Sequence, residues 1–196
     1  MQKFVLWILV FSIVLPGTAM AAASAYGDKI FDAGGLGPID SKLLVSVNQK
    51  APDFTLPAVS GNPISLGQYK GKKNVLITFI PAAWTPVCSD QWPGYNIAKP
   101  LFEAHDTILL GISVDNLPTL FAWTHEMGSL WFDVLSDFWP HGQTAQTYGI
   151  LRSNGTAERA LILVDKQGII RFIHVSDINI RPDLGMIMKA LENLPR

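Results

Sequence analysis

A single cysteine stands among 196 residues, and its neighbours decide whether it can do chemistry. Cys88 follows an apolar run, Asn74 to Ile80, that reads as a buried β-strand, and the segment Pro81-Ala82-Ala83-Trp84-Thr85-Pro86-Val87 joins the two. Thr85 followed by Pro86 is a helix-start signal, because threonine is a good N-cap and proline is preferred at the first helical position. Cys88 then becomes the third residue of a helix. There the unsatisfied backbone N–H groups and the positive end of the helix dipole favour thiolate over thiol, and the thiolate is the nucleophilic form. The competing reading is a small apolar side chain packed beneath the helix. Against it, the strand end at Pro81 places this helix at the carboxyl edge of a sheet, where α/β proteins bind ligands. A dithiol mechanism within the chain is excluded, since the position three residues on is Gln91 and there is no second cysteine.

The other conspicuous side chains point to ordinary roles. His105, His125, His141 and His174 lack tight ligand spacing, and with one cysteine available no metal site is expected. Trp84, Trp92, Trp123, Trp131 and Trp139 read as core or dimer-face residues, with Trp84 bordering the pocket beside Cys88. The chain carries 15 basic and 16 acidic side chains without a polybasic run, which gives no reason to expect nucleic acid or an anionic membrane surface as a partner.

Elements able to position Cys88 follow in order. Asp53 to Leu56 and Pro63 to Leu66 flank Ser60-Gly61-Asn62 as a small hairpin. After the strand at 74–80 and the helix of Cys88, Thr107 to Val114 is a second buried strand, and a helix starts near Asn116 and runs to Met127. Trp131 to Leu135 reads as a short strand and Gly142 to Tyr148 as a short helix. Arg159 to Asp165 and Ile169 to Val175 form a hairpin across Lys166-Gln167-Gly168, and Pro182 to Leu194 is a final helix, with Leu184, Ile187, Met188, Leu191 and Leu194 at helical spacing. Strands alternating with helices and ending in hairpin plus helix predict an α/β sandwich around a central mixed sheet.

At the amino terminus, Lys3, the apolar run Phe4 to Leu15, Pro16-Gly17 and the small residues up to Ala25 have the layout of a secretory signal peptide. The expected organisation is a signal peptide at 1–25, an extension or loop at 26–44 and one compact domain at 45–196. The mature chain is expected to be periplasmic or secreted and off the membrane. An exported chain with one unpaired cysteine needs a reason for that thiol.

Pro81, Thr85 and Cys88 form P-x-x-x-T-x-x-C after a buried strand, and this pattern resembles the peroxiredoxin active-site motif. The blocks "NQKAPDFTLPAVSGNPISLGQYKGKKNVLITFIPAAWTPVCS", "LLGISVDN", "LSDFWPHGQTAQTYGI" and "AERALILVDKQGIIRFIHV" stand in family order from Val45 to about Val175. The chain is similar to the alkyl hydroperoxide reductase/thiol-specific antioxidant family, and "SDFWPHG" resembles its one-cysteine AhpE-like subgroup. The resemblance implies a thioredoxin-like (peroxiredoxin) fold with an N-terminal hairpin extension. It also implies a thiol peroxidase acting on hydrogen peroxide or alkyl hydroperoxides without a cofactor, re-reduced by an external small thiol or thioredoxin-like reductant, in a homodimer. By the same resemblance Cys88 is the peroxidatic cysteine, Thr85 holds peroxide and sulfur, Pro81 shields the pocket and Arg159 faces the thiolate. Arg152 is the competing arginine, and Thr85 can also serve as a plain N-cap. Gln91 departs from the acidic residue found here in many relatives. The rival reading is an exported redoxin-fold thiol sensor or chaperone that pairs with a partner without turnover; an idle domain is disfavoured by the intact motif.

Overall fold

A computed structural model describes residues 27–195, so the signal-peptide segment lies outside the described residues. A two-stranded antiparallel hairpin, β1 (Thr55–Leu56) and β2 (Ile64–Ser65), precedes a five-stranded mixed sheet. The sheet comprises β3 (Asn74–Phe79), β4 (Thr107–Ser113), β5 (Asp133–Ser136), β6 (Ala160–Val164) and β7 (Ile170–Val175), in the spatial order β5-β4-β3-β6-β7. β3 runs parallel to β4 and β4 to β5, whereas β6 is antiparallel to both β3 and β7. The helices are α1 (Pro86–Ile97), α2 (Lys99–Ala104), α3 (Leu117–Met127), α4 (Gln143–Tyr148) and α5 (Leu184–Glu192).

β3 is buried along its whole length because both faces of the sheet are covered. Its side chains alternate between the faces. Val75, Ile77 and Phe79 join a core with the hairpin residues Leu56 and Ile64 and with Ala145 and Tyr148 of α4. Leu76 and Ile80 join the opposite core with Cys88 and Trp92 of α1, Leu120 and Trp123 of α3, and Ile187 and Leu191 of α5. α1 lies so close to the sheet that a Cβ on Gly111 of β4 would stand 2.7 Å from the Trp92 ring, which is why glycine occupies that strand position.

The same alternation governs β6. Leu161 and Leu163 face the α1 side, Ala160, Ile162 and Val164 the hairpin side. Extended by parity, Arg159 belongs to the α1 side and Glu158 to the other. The antiparallel register pairs Phe79 with Ala160, so Arg159 stands level with the exit of β3, where the chain turns toward α1. This strand pairing brings two residues separated by 71 positions, Cys88 and Arg159, to one place.

The expected hairpins, strands and the helices of Cys88, Asn116, Gly142 and the carboxyl terminus are all present within a few residues of their anticipated bounds. Asn116 caps α3 by accepting from Thr119 N at 3.0 Å. α4 begins at a left-handed Gly142 that has no side chain to cap with, and the Asp137 carboxylate accepts from Thr144 N and Ala145 N instead, at 3.0 and 2.8 Å. Two features escaped the sequence reading. α2 is a separate six-residue helix behind α1, and Phe102 is its buried contact. Residues 30–44 form no long regular element yet lie across the domain as a strap tied by hydrogen bonds, instead of standing apart from it.

Candidate active site

Thr85 takes the N-cap position of α1 with extended backbone, followed by Pro86 at the first turn, so Cys88 is the third helical residue. The threonine hydroxyl does not cap. It donates backward to Ala82 O at 2.9 Å and accepts from no helix N–H, so the plain N-cap reading of this side chain is corrected here. The residue before it, Trp84, has φ of 61°, a left-handed conformation uncommon for a bulky side chain. The loop is held from β4: Asp115 accepts from Ala83 N at 2.7 Å and from the Ser113 hydroxyl at 2.5 Å.

Cys88 is 0% exposed. Arg159 Nη2 donates to its Sγ at 3.4 Å and to Ile178 O at 2.8 Å. Nε donates to the same carbonyl at 3.0 Å, and Nη1 donates to Gln91 Oε1 at 2.5 Å. The Gln91 amide nitrogen in turn donates to Thr78 Oγ1 at 2.9 Å, and the donor-only guanidinium fixes the oxygen end of the amide toward Arg159. Gln91 therefore fills the position of the expected acidic contact with a neutral oxygen. Tyr95, one turn further along α1, is so buried that its phenol ionises only well above its ordinary range and adds no negative charge.

The two arginines differ in their partners. Arg152 Nη1 donates to the fully buried Glu158 carboxylate at 2.6 Å, so its charge is neutralised. Among the described residues no carboxylate pairs with Arg159; apart from the sulfur, its acceptors are a neutral amide and a neutral carbonyl. A buried guanidinium without a counter-anion is costly, and negative charge on Sγ is its natural complement. Parity along β6 puts Arg159 on the face of Leu161 and Leu163, and the pairing of β6 with β3 makes that the Cys88 side, whereas Arg152 lies in the loop before β6.

The mouth of the site is a depression of about 370 Å³ lined by Pro81, Thr85, Val87 and Arg159 on one side and by residues 32–36 of the strap on the other. Pro81 itself is buried at its edge. Trp84 is not part of this lining; it touches the arrangement through its carbonyl, which accepts from Phe31 N at 2.7 Å. Trp92 and Trp123 are fully buried, whereas Trp139 is 81% exposed. Among the described residues no group of three or more His, Cys, Asp or Glu is placed to hold a metal.

Comparison with known proteins matches the chain to one family. The model of the AhpC/TSA family covers residues 47–173. The chain is 41% identical over 130 residues to alkyl hydroperoxide reductase E of Mycobacterium tuberculosis, spanning 66% of this chain and 84% of that protein. It is 31% identical over 157 residues to the chloroplastic 2-cysteine peroxiredoxin of Chattonella marina var. antiqua, spanning 76% and 80%. Among solved structures, the reduced 2-Cys peroxiredoxin of Plasmodium vivax superposes with a TM-score of 0.71 at 28% identity, over 76% of this chain and 81% of that one. The chain belongs to the AhpC/TSA family and has the thioredoxin-like fold of a peroxiredoxin, in a single-cysteine form consistent with the AhpE-like branch.

Proposed function

We propose that the protein is a thiol peroxidase in which Cys88 reduces hydrogen peroxide or an organic hydroperoxide. The observation that carries this is the buried Arg159 guanidinium, 3.4 Å from Sγ and without a carboxylate of its own. The Cys88 thiolate attacks the terminal peroxide oxygen in line and the O–O bond breaks. The electron pair leaves on the departing oxygen, which takes a proton and departs as water or an alcohol, and the sulfur becomes sulfenic acid. Arg159 supplies a fixed donor to the departing oxygen as its charge grows, and the Thr85 hydroxyl, already donating to Ala82 O, accepts from the peroxide hydrogen. Pro81 walls the pocket against water. With no second cysteine in the chain, an external thiol must attack the sulfenic acid, releasing water and forming a mixed disulfide, and a second thiol then frees Cys88.

The burial of Cys88 favours a small peroxide over a docking protein as the first reactant, which weighs against the sensor or chaperone reading. The proposed export rests on residues 1–25, and the proposed homodimer on family membership together with the exposed Phe138 and Trp139. Stopped-flow tryptophan fluorescence tests the peroxidase reading, with Trp84 and Trp92 close to Cys88 as reporters. Thr85→Val is expected to slow peroxide attack by about tenfold or more, the scale of one lost hydrogen bond, while alkylation by neutral iodoacetamide changes little. Equal loss for both reagents would confine Thr85 to the helix start.

A further inference from the structure

The strap between Phe31 and Leu44 is tied to the domain at several places, most of them from Leu36 onward. Phe31 N donates to Trp84 O at 2.7 Å. Leu36 exchanges two hydrogen bonds with the Asn179 side chain, at 2.9 and 3.0 Å. Arg152 Nη2 donates to the carbonyls of Gly37 and Pro38 at 3.1 and 3.0 Å, and the backbone N–H groups of Asp40 and Ser41 donate to Glu158 at 3.1 and 3.3 Å. The buried Arg152–Glu158 pair is thus the clamp for the strap on the face of β6 opposite Arg159. Between Phe31 and Leu36 the hydrogen bond found among the described residues is a local one from Gly34 N to Asp32 Oδ1 at 2.8 Å, and this stretch forms the outer wall of the depression above Thr85 and Arg159. The family match begins at residue 47, so this wall is outside it.

We infer that residues 32–36 are a specificity-determining wall: they admit compact hydroperoxides to Cys88 and hold back bulky ones, with Asn179 as the residue that positions them. The inference rests on the peroxidase reading for its substrate, but the wall itself acts on any reagent that must reach the buried sulfur. Gly34 and Gly35 line the depression, and a Cβ at either would meet nothing within 4 Å. Gly35 lies outside the left-handed region, so a large side chain can be placed at this lining position without backbone strain.

The test uses the full chain and two pairs of probes, hydrogen peroxide against cumene hydroperoxide and iodoacetamide against a pyrenyl maleimide. Asn179→Ala, at an exposed position, is expected to raise the large-to-small rate ratio in both pairs by about tenfold, the scale of losing two ordinary hydrogen bonds that hold the wall. Gly35→Trp is expected to lower both ratios by a similar factor. If both ratios stay within about twofold of wild type in both variants, with unchanged circular dichroism, the wall sets no size limit and the inference is overturned. If neither peroxide oxidises Cys88 while the alkylation ratios shift as stated, the peroxidase reading fails and the wall stands.

Discussion

Cys88→Ser is expected to reduce peroxide consumption to background, a fall of at least about 10⁴-fold, because the hydroxyl is hardly ionised where an anionic nucleophile is needed. The fold should survive. Serine is slightly smaller than cysteine, its oxygen can accept from Arg159 Nη2, and the surrounding core of Ile80, Trp92 and Leu161 is unaltered. A polar hydroxyl in this apolar core should cost no more than about 1–3 kcal/mol, visible as a modest fall in the thermal midpoint. Peroxide consumption that persists in this variant, measured in a chelator-treated preparation, would remove Cys88 from the reaction.

Arg159→Met is the second large effect. A charge that is buried, fixed in direction by Ile178 O and Gln91, and not shared with a carboxylate acts at full strength on the sulfur and on the departing oxygen. Removing one such preorganised donor typically costs about 10²–10³ in rate, and the loss should appear in peroxide attack far more than in the folded stability of the chain. The opposite is expected of Arg152→Met. It strands the buried Glu158 carboxylate, a situation that costs about 3–5 kcal/mol, and it loosens the strap, but leaves the donors at Cys88 in place. Stopped-flow rates and denaturant midpoints on the two variants separate the roles. A large rate loss confined to Arg152→Met, with Arg159→Met unaffected, would reverse the assignment.

Gln91 gives this site its electrostatic character. A carboxylate at that position would share the Arg159 charge, whereas the amide accepts one hydrogen bond and leaves the charge undivided. Its orientation is not free, because the donor-only guanidinium takes the oxygen end while Thr78, on the same face of β3 as Leu76 and Ile80, accepts from the amide nitrogen. In the proposed reaction this undivided charge lets one guanidinium serve both the thiolate and the oxygen that leaves as the O–O bond breaks.

Much of this was legible in the sequence because it is local or periodic. The helix start at Thr85-Pro86 fixes the position of Cys88 on α1 from three consecutive residues, and the apolar runs at 74–80 and 107–114 announce buried strands. What the sequence left open depends on contacts between distant residues. Asn179 holds Leu36 across 143 positions, and Glu158 holds Asp40 across 118, so the sequence, which reads as an extension or loop without periodicity, does not show where this segment is tied. α2 was missed because its six residues are too few to show a helical period and bury one side chain, Phe102. The choice between Arg152 and Arg159 was available from β6 parity once the pairing of β6 with β3 is known, and that pairing is not a local property.

In the proposed reaction Cys88 alone receives the peroxide oxygen and keeps it until a thiol arrives from outside the chain. Intact mass spectrometry after one equivalent of hydrogen peroxide tests it most directly. The expected product is monomer carrying one added oxygen that dimedone traps, that a small thiol converts to a mixed disulfide, and that excess peroxide carries on to the sulfinic acid. Quantitative Cys88–Cys88 dimers formed as fast as peroxide disappears would show that a second copy of the chain resolves the sulfenic acid and would contradict the account.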